Sequence, residues 1–72
     1  MNKKNKIKII VNGKQMTVKL KFSLKNLIKK LKIPMKKVAV ELNREIVNKK
    51  KINKIFLKTG DKIEIVHFIG GG

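Results

Sequence analysis

The amino-acid sequence predicts an α+β domain in which a sheet of four to five strands packs on one helix. Three observations support this prediction: short stretches of alternating apolar and polar residues, one stretch with apolar residues at helical spacing, and turn residues between the stretches. With 72 residues the chain is long enough for one small core. We therefore expect residues 1–72 to form a single domain.

The first predicted element is a β-hairpin over residues 6–22. The first strand has its alternating apolar residues at Ile7, Ile9 and Val11. Asn12 and Gly13 follow, and both tolerate the positive φ of a type I′ turn. The return strand has its apolar residues at Met16, Val18, Leu20 and Phe22. The pattern indicates an antiparallel pair with one buried face.

The next element is a helix that starts at the N-cap residue Ser23 and ends before Pro34. Its apolar residues lie at i, i+3, i+4 and i+7, namely Leu24, Leu27, Ile28 and Leu31. Lysines occupy the opposite face. A stripe of this kind could dock a partner, but in a small domain it is usually core, and we interpret it as core.

In the second half of the chain, the sequence pattern predicts another hairpin, an irregular crossing segment and a final strand. The third strand runs from Val38 to Leu42, and residues 43–45 form a turn before a short strand at 46–47. Residues 48–57 predict a lysine-rich crossing with one helical turn, and its expected apolar anchors are Ile52, Ile55 and Phe56. A turn at 59–61 leads to the last strand, 62–68.

Three glycines follow Ile69 at the end of the sequence. Glycines have no side chain to pack and have maximal backbone freedom. We therefore expect residues 69–72 to form a flexible tail that presents the carboxylate of Gly72. A frayed chain end or a cloning remnant would produce the same pattern.

The formal net charge of +16 favours polyanionic partners, which include nucleic acids, anionic membranes and acidic proteins. Nucleic-acid interfaces use bidentate guanidinium groups and aromatic stacking, yet Arg44 is the only arginine and Trp and Tyr are absent. The lysines are also spread along the whole chain, as the coding bias of an A+T-rich genome would produce. We interpret most of this charge as a solvated surface, with acidic partners as the secondary interpretation, and expect no nucleic-acid partner.

The sequence also bears on compartment and on redox chemistry. Cysteine is absent, which excludes disulfides and thiol nucleophiles. The apolar runs are far shorter than the roughly 20 residues that span a bilayer, so we expect no membrane partner. No signal-peptide core follows the basic N-terminus, and we expect a cytoplasmic protein, with an organelle stroma as the alternative.

Three stretches together resemble a known family: 11–14 (Val-Asn-Gly-Lys), 38–47 (Val-Ala-Val-Glu-Leu-Asn-Arg-Glu-Ile-Val) and 60–72, which ends in Gly-Gly-Gly. With the order hairpin, helix, hairpin and late central strand, the chain resembles ubiquitin-like proteins. The nearer resemblance is to the sulfur carrier proteins of thiamine (thiazole) biosynthesis. This resemblance implies a β-grasp fold with a mixed sheet.

The resemblance also implies a function. An adenylating enzyme would use ATP and magnesium to activate the carboxylate of Gly72, and sulfur-donor proteins would convert it to a thiocarboxylate. Thiazole synthase would then take the sulfur. Ile69, Gly70 and Gly71 would enter the partners' active sites, since residues without Cβ can thread a narrow channel. The chain itself would be a carrier with no bound cofactor and no catalytic residue.

Period-two alternation predicts where partners dock. If Ile7, Ile9, Ile63 and Ile65 face the helix, then Ile10, Ala39, Val66 and Phe68 lie elsewhere. We expect the latter four residues to form an exposed apolar patch that docks the adenylating enzyme. The alternative is that Phe68 folds over the edge of the core.

His67 is the only histidine, and it could serve as a general base beside the tail. Its place in the alternation is on the core-facing side, near the end of the strand, which favours a structural or incidental histidine. The four carboxylates are scattered, so the sequence indicates no metal site and no catalytic triad. They are Glu41, Glu45, Asp61 and Glu64.

Other functions share parts of this pattern. Within the carriers, the small subunit of molybdopterin synthase has similar chemistry, as do carriers for tRNA thiolation and protein-conjugating modifiers. The ending Ile-Glu-Ile-Val-His-Phe-Ile-Gly-Gly-Gly and the short length favour the thiamine branch. The rival from a different class is a small basic nucleic-acid-binding domain.

Overall fold

Five strands form one mixed sheet in the computed structural model, which describes residues 5–68. The strands are β1 (Lys6–Val11), β2 (Lys14–Lys19), β3 (Val38–Leu42), β4 (Glu45–Ile46) and β5 (Lys62–His67). Their order across the sheet is β2-β1-β5-β3-β4. The central strand β5 pairs in parallel with β1 and antiparallel with β3. The last strand along the chain therefore lies in the middle of the sheet.

The first hairpin has the predicted turn. Asn12 and Gly13 have φ values of 49° and 83°, and a type I′ turn requires positive φ at both central residues. The predicted return strand is wrong beyond Lys19, because the chain turns there and Leu20 is 48% exposed. Lys21 adopts a positive φ of 64° in this turn, which ends the strand's alternation.

One helix, α1 (Leu24–Lys30), packs on the sheet, and its N-terminus is capped as predicted. The Ser23 hydroxyl oxygen accepts a hydrogen bond from the Asn26 N–H at 3.0 Å. Of the predicted stripe, Leu24, Leu27 and Ile28 are buried and Leu31 packs partly buried against the core. The stripe is therefore core, as expected.

The helix ends at Lys30, four residues before Pro34, and its own backbone terminates it. Lys32 has a φ of 56°, and its N–H donates to the Lys29 carbonyl at 3.0 Å. The Ile33 N–H donates to the Ile28 carbonyl at 3.1 Å, which completes a Schellman motif. Lysine occupies the left-handed position that glycine usually fills.

The second half of the chain contains two 3₁₀ helices, Met35–Lys37 and Lys49–Lys54. The predicted anchor Phe56 is wrong, because Phe56 is 56% exposed and the next residue, Leu57, is only 3% exposed. The Leu57 N–H donates to the Phe22 carbonyl at 2.8 Å, and Ser23 and Phe56 form an isolated antiparallel bridge. Extended geometry at this bridge turns Phe56 outward and Leu57 inward.

The second hairpin has a shorter turn than expected. Asn43 and Arg44 form a two-residue connection with φ values of 51° and 73°, and Glu45 already belongs to β4. Two consecutive positive φ values are typical of a type I′ turn, as in the first hairpin.

The core lies between α1 and one face of the sheet. Its buried apolar residues are Ile7, Ile9, Val18, Leu24, Leu27, Ile28, Val38, Val40, Ile52, Leu57, Ile63 and Ile65. Among the described residues, no helix is long and apolar enough to cross a membrane. The opposite face of the sheet is here called the outer face, and it carries the residues that alternate with the buried ones along each strand.

Candidate functional site

The central strand leads to the glycine tail, and an asparagine in the first turn fixes its second half. The Asn12 Oδ1 accepts a hydrogen bond from the Ile65 N–H at 2.7 Å, and the Asn12 Nδ2 donates to the Ile65 carbonyl at 3.3 Å. The last register pair of β1 with β5 is Val11 with Ile63, and the Asn12 N–H makes a final backbone hydrogen bond to the Ile63 carbonyl at 2.9 Å. The side-chain amide of Asn12 thus extends the parallel pairing beyond the end of β1.

A second turn asparagine fixes the start of the same strand from the other side. The Asn43 Oδ1 accepts from the Lys62 N–H at 2.9 Å, and the Asn43 Nδ2 donates to Asp61 Oδ1 at 3.0 Å. The other oxygen of Asp61 accepts from the Lys58 N–H at 2.8 Å. Both hairpin turns therefore hold β5 in place by side-chain hydrogen bonds.

Phe68 is the last residue that the structure describes before the tail, and three segments meet there. Its N–H donates to the Lys37 carbonyl at 2.8 Å. The Lys49 Nζ lies 5.3 Å from the centroid of the Phe68 ring, within the range of a cation–π interaction. The same Nζ donates to the Met35 carbonyl at 2.7 Å. Phe68 is 48% exposed and does not fold into the core.

Three of the four predicted docking residues lie together on the outer face. Ala39 and Val66 are directly paired across β3 and β5, and Phe68 follows Val66 by two residues on the same side. Val66 is 53% exposed and Ala39 is half-buried. We call Ala39, Val66 and Phe68 the outer strip.

The structure does not bring Ile10 to the outer strip. Ile10 pairs with Lys62, four residues before Val66, which is about 13 Å along an extended strand. Ile10 lines a separate recess of about 380 Å³ with Gln15 and Gly60. Alternation had correctly placed Ile10 on the outer face, but the parallel register of β1 and β5 puts it at the opposite end.

Sequence reasoning did not single out the residues that border the outer strip. In the next row, Glu41 pairs with Glu64 and also with Ile46, which is 77% exposed. Arg44 and Lys62 line the same recess as the two carboxylates. Period-two alternation could have identified Glu41, Lys62 and Glu64, since each shares the parity of Ala39 or Val66 on its own strand. Charged side chains thus border the outer strip on the side away from the tail.

His67 is exposed at the end of β5, where it pairs with Val38. Its parity matches that of Ile63 and Ile65 and its partner Val38 is buried, yet the His67 side chain itself is exposed and does not pack in the core. Within residues 5–68, no group of three His, Asp or Glu side chains is placed to hold a metal ion. The predicted tail residues Ile69, Gly70, Gly71 and Gly72 lie outside the described residues.

Comparisons with known proteins agree with this architecture. A crystal structure of the thiamine biosynthesis protein ThiS from Geobacter metallireducens superposes with a TM-score of 0.80 at 33% identity, covering 92% of this chain and 100% of that one. This match confirms the predicted α+β, β-grasp fold. The sulfur carrier protein ThiS of Bacillus subtilis is 40% identical over 50 residues, which are 69% of this chain and 76% of that protein.

Two longer proteins also match. Thiazole synthases of Paramagnetospirillum magneticum and Magnetococcus marinus are 39% and 38% identical to the chain over 66 residues, which are 92% of this chain. The chain spans only 20% of the length of each of these relatives. The family model described as the ThiS family matches residues 9–72. The chain therefore belongs to the ThiS family.

Proposed function

We propose that this protein is a sulfur carrier in thiamine biosynthesis and that Gly72 carries the sulfur. A carboxylate oxygen of Gly72 attacks the α-phosphate of ATP and releases pyrophosphate. A sulfur nucleophile at the oxidation level of hydrosulfide (HS⁻), supplied by the sulfur donor, then attacks the acyl carbon and displaces AMP, which leaves a thiocarboxylate. The observation that carries the proposal is the family match, which extends from residue 9 through Gly72.

The partners of such a carrier follow from this chemistry. An adenylating enzyme supplies the ATP and magnesium, sulfur-donor proteins supply the sulfur, and thiazole synthase receives it. The similarity of the chain to a part of two bacterial thiazole synthases supports the last of these partners. We place the reaction in the cytoplasm, with an organelle stroma as the alternative.

The outer strip is the surface we propose for docking the adenylating enzyme. Val66 and Phe68 are exposed apolar side chains on the strand that leads to the tail, and Ala39 is the cross-strand neighbour of Val66. An enzyme that covers this strip buries apolar area next to the point where the tail begins, which favours association. Ile10 is not part of this surface.

Intact-mass measurement tests the proposed function. The full chain is incubated with the adenylating enzyme from the same genome, ATP, magnesium and a sulfur donor. We expect the mass to rise by the difference between one sulfur and one oxygen atom, because one carboxylate oxygen is replaced. A variant lacking Gly72 is the control and should keep its mass. An unchanged mass of the wild-type chain under these conditions would refute the proposal.

A further inference from the structure

Lys49 connects three segments at the point where the described chain ends. Its ammonium group donates to the Met35 carbonyl in the first 3₁₀ helix at 2.7 Å and lies 5.3 Å from the Phe68 ring centroid. The first 3₁₀ helix also holds Phe68 directly, because the Lys37 carbonyl accepts the Phe68 N–H at 2.8 Å. Both the backbone and the ring of Phe68 are thus tied to the same short helix.

Lys49, Lys50 and Lys51 are consecutive, but only Lys49 contacts Met35 and Phe68. Asn48 caps the second 3₁₀ helix, and its Oδ1 accepts the Lys50 N–H at 2.9 Å. This cap fixes the first turn of that helix, in which Lys49 is the first residue. Lys50 and Lys51 are exposed residues of the same turn, and no side-chain hydrogen bond or aromatic contact is found for them among the described residues.

We propose that Lys49 is a positioning residue: it holds Phe68, the residue from which the tail starts, in one orientation. The proposal rests on the proposed function, since it assigns Lys49 a role in delivering Gly72 to the adenylating enzyme. Holding Phe68 in place beforehand lowers the entropy that must be lost at this residue when the carrier binds the enzyme.

The kinetic consequence should appear in KM. The ordering cost is paid when the carrier binds, equally in the ground state and in the transition state, so kcat stays unchanged. An exposed cation–π interaction corresponds to a factor of about 2 to 5 in an equilibrium constant. Removing the ammonium group should therefore raise the KM for the carrier about 2- to 5-fold.

The experiment compares Lys49→Met, Lys49→Arg and Lys50→Met in the full chain, with pyrophosphate release by the adenylating enzyme as the assay. Met keeps the length of the lysine stem, and Lys50→Met removes the same charge from the same turn, so electrostatic steering is matched. We expect the higher KM only in Lys49→Met, and Arg should restore the wild-type value because guanidinium also donates and stacks. Equal KM values for Lys49→Met and Lys50→Met would overturn the proposal.

A second measurement tests how firmly Phe68 is held, and it does not depend on catalysis. Amide hydrogen exchange at Phe68 should be faster in Lys49→Met than in wild type and unchanged in Lys50→Met, since the Phe68 N–H bond to Lys37 is no longer supported. Faster exchange with an unchanged KM would refute the positioning role and leave the proposed function intact. If wild-type protein releases no pyrophosphate, the proposed function fails, and the role of Lys49 in it fails too.

Discussion

The side-chain amide of Asn12 hydrogen-bonds both the N–H and the carbonyl of Ile65, at 2.7 and 3.3 Å, across 53 residues of sequence. Asn12 therefore combines two properties in one residue. It tolerates the positive φ of 49° that the hairpin turn requires, and it takes the place of a further peptide group of β1 beside the central strand. This contact holds β5 on the β1 side, while pairing with β3 holds the same residues on the other side.

The first prediction concerns Asn12→Gly. Glycine keeps the positive φ but removes two partly buried hydrogen bonds, so we expect a loss of about 1–3 kcal/mol in the free energy of unfolding. Urea denaturation measures this loss. Asn12→Asp retains the acceptor for the Ile65 N–H and should be intermediate. A glycine variant as stable as wild type would show that these bonds contribute nothing.

The second prediction uses the left-handed residue after α1. Lys32 has a φ of 56°, a region that costs a residue with a Cβ about 1–2 kcal/mol. Lys32→Gly should therefore raise the free energy of unfolding by about 1 kcal/mol. Lys30→Gly is the matched control inside the helix and should lower it by about 1 kcal/mol. Shifts of the same sign in the two variants would contradict the Schellman geometry.

The third prediction separates the two ends of the outer face. Val66→Ala should lower kcat/KM for adenylation at least about 5-fold if Val66 is a central docking contact, because such residues contribute over 1 kcal/mol to binding. Ile10→Ala is the control and should leave kcat/KM unchanged, since Ile10 lies far along the sheet from the strip. Circular dichroism checks that both variants are folded. A larger effect at Ile10 than at Val66 would place the docking surface elsewhere.

The fourth prediction tests which apolar residue anchors the crossing. Leu57 is 3% exposed and Phe56 is 56% exposed. Leu57→Ala should cost about 2–5 kcal/mol through lost burial and a cavity. Phe56→Ala should change stability by no more than about 0.5 kcal/mol, as surface substitutions do. Thermal unfolding of both variants measures the difference, and similar costs at the two positions would contradict the observed burial.

Local signals in the sequence determined much of the fold. Asn12-Gly13 specified the first turn because few other residue pairs accept two positive φ values. The spacing of Leu24, Leu27 and Ile28 specified a helix with one buried face, and alternation specified which face of each strand is buried. These signals depend on neighbours within a few residues, which the sequence shows directly.

Only the tertiary structure decided which residues are cross-strand neighbours and which lysine contacts Phe68. Alternation assigns Ile10 and Val66 to one face, but their separation depends on the parallel register of β1 and β5, which contacts distant in sequence establish. Lys49, Lys50 and Lys51 are identical in the sequence, so nothing local distinguishes them. Lys49 alone reaches Met35 and Phe68, because the folded backbone brings these three residues together from distant parts of the chain.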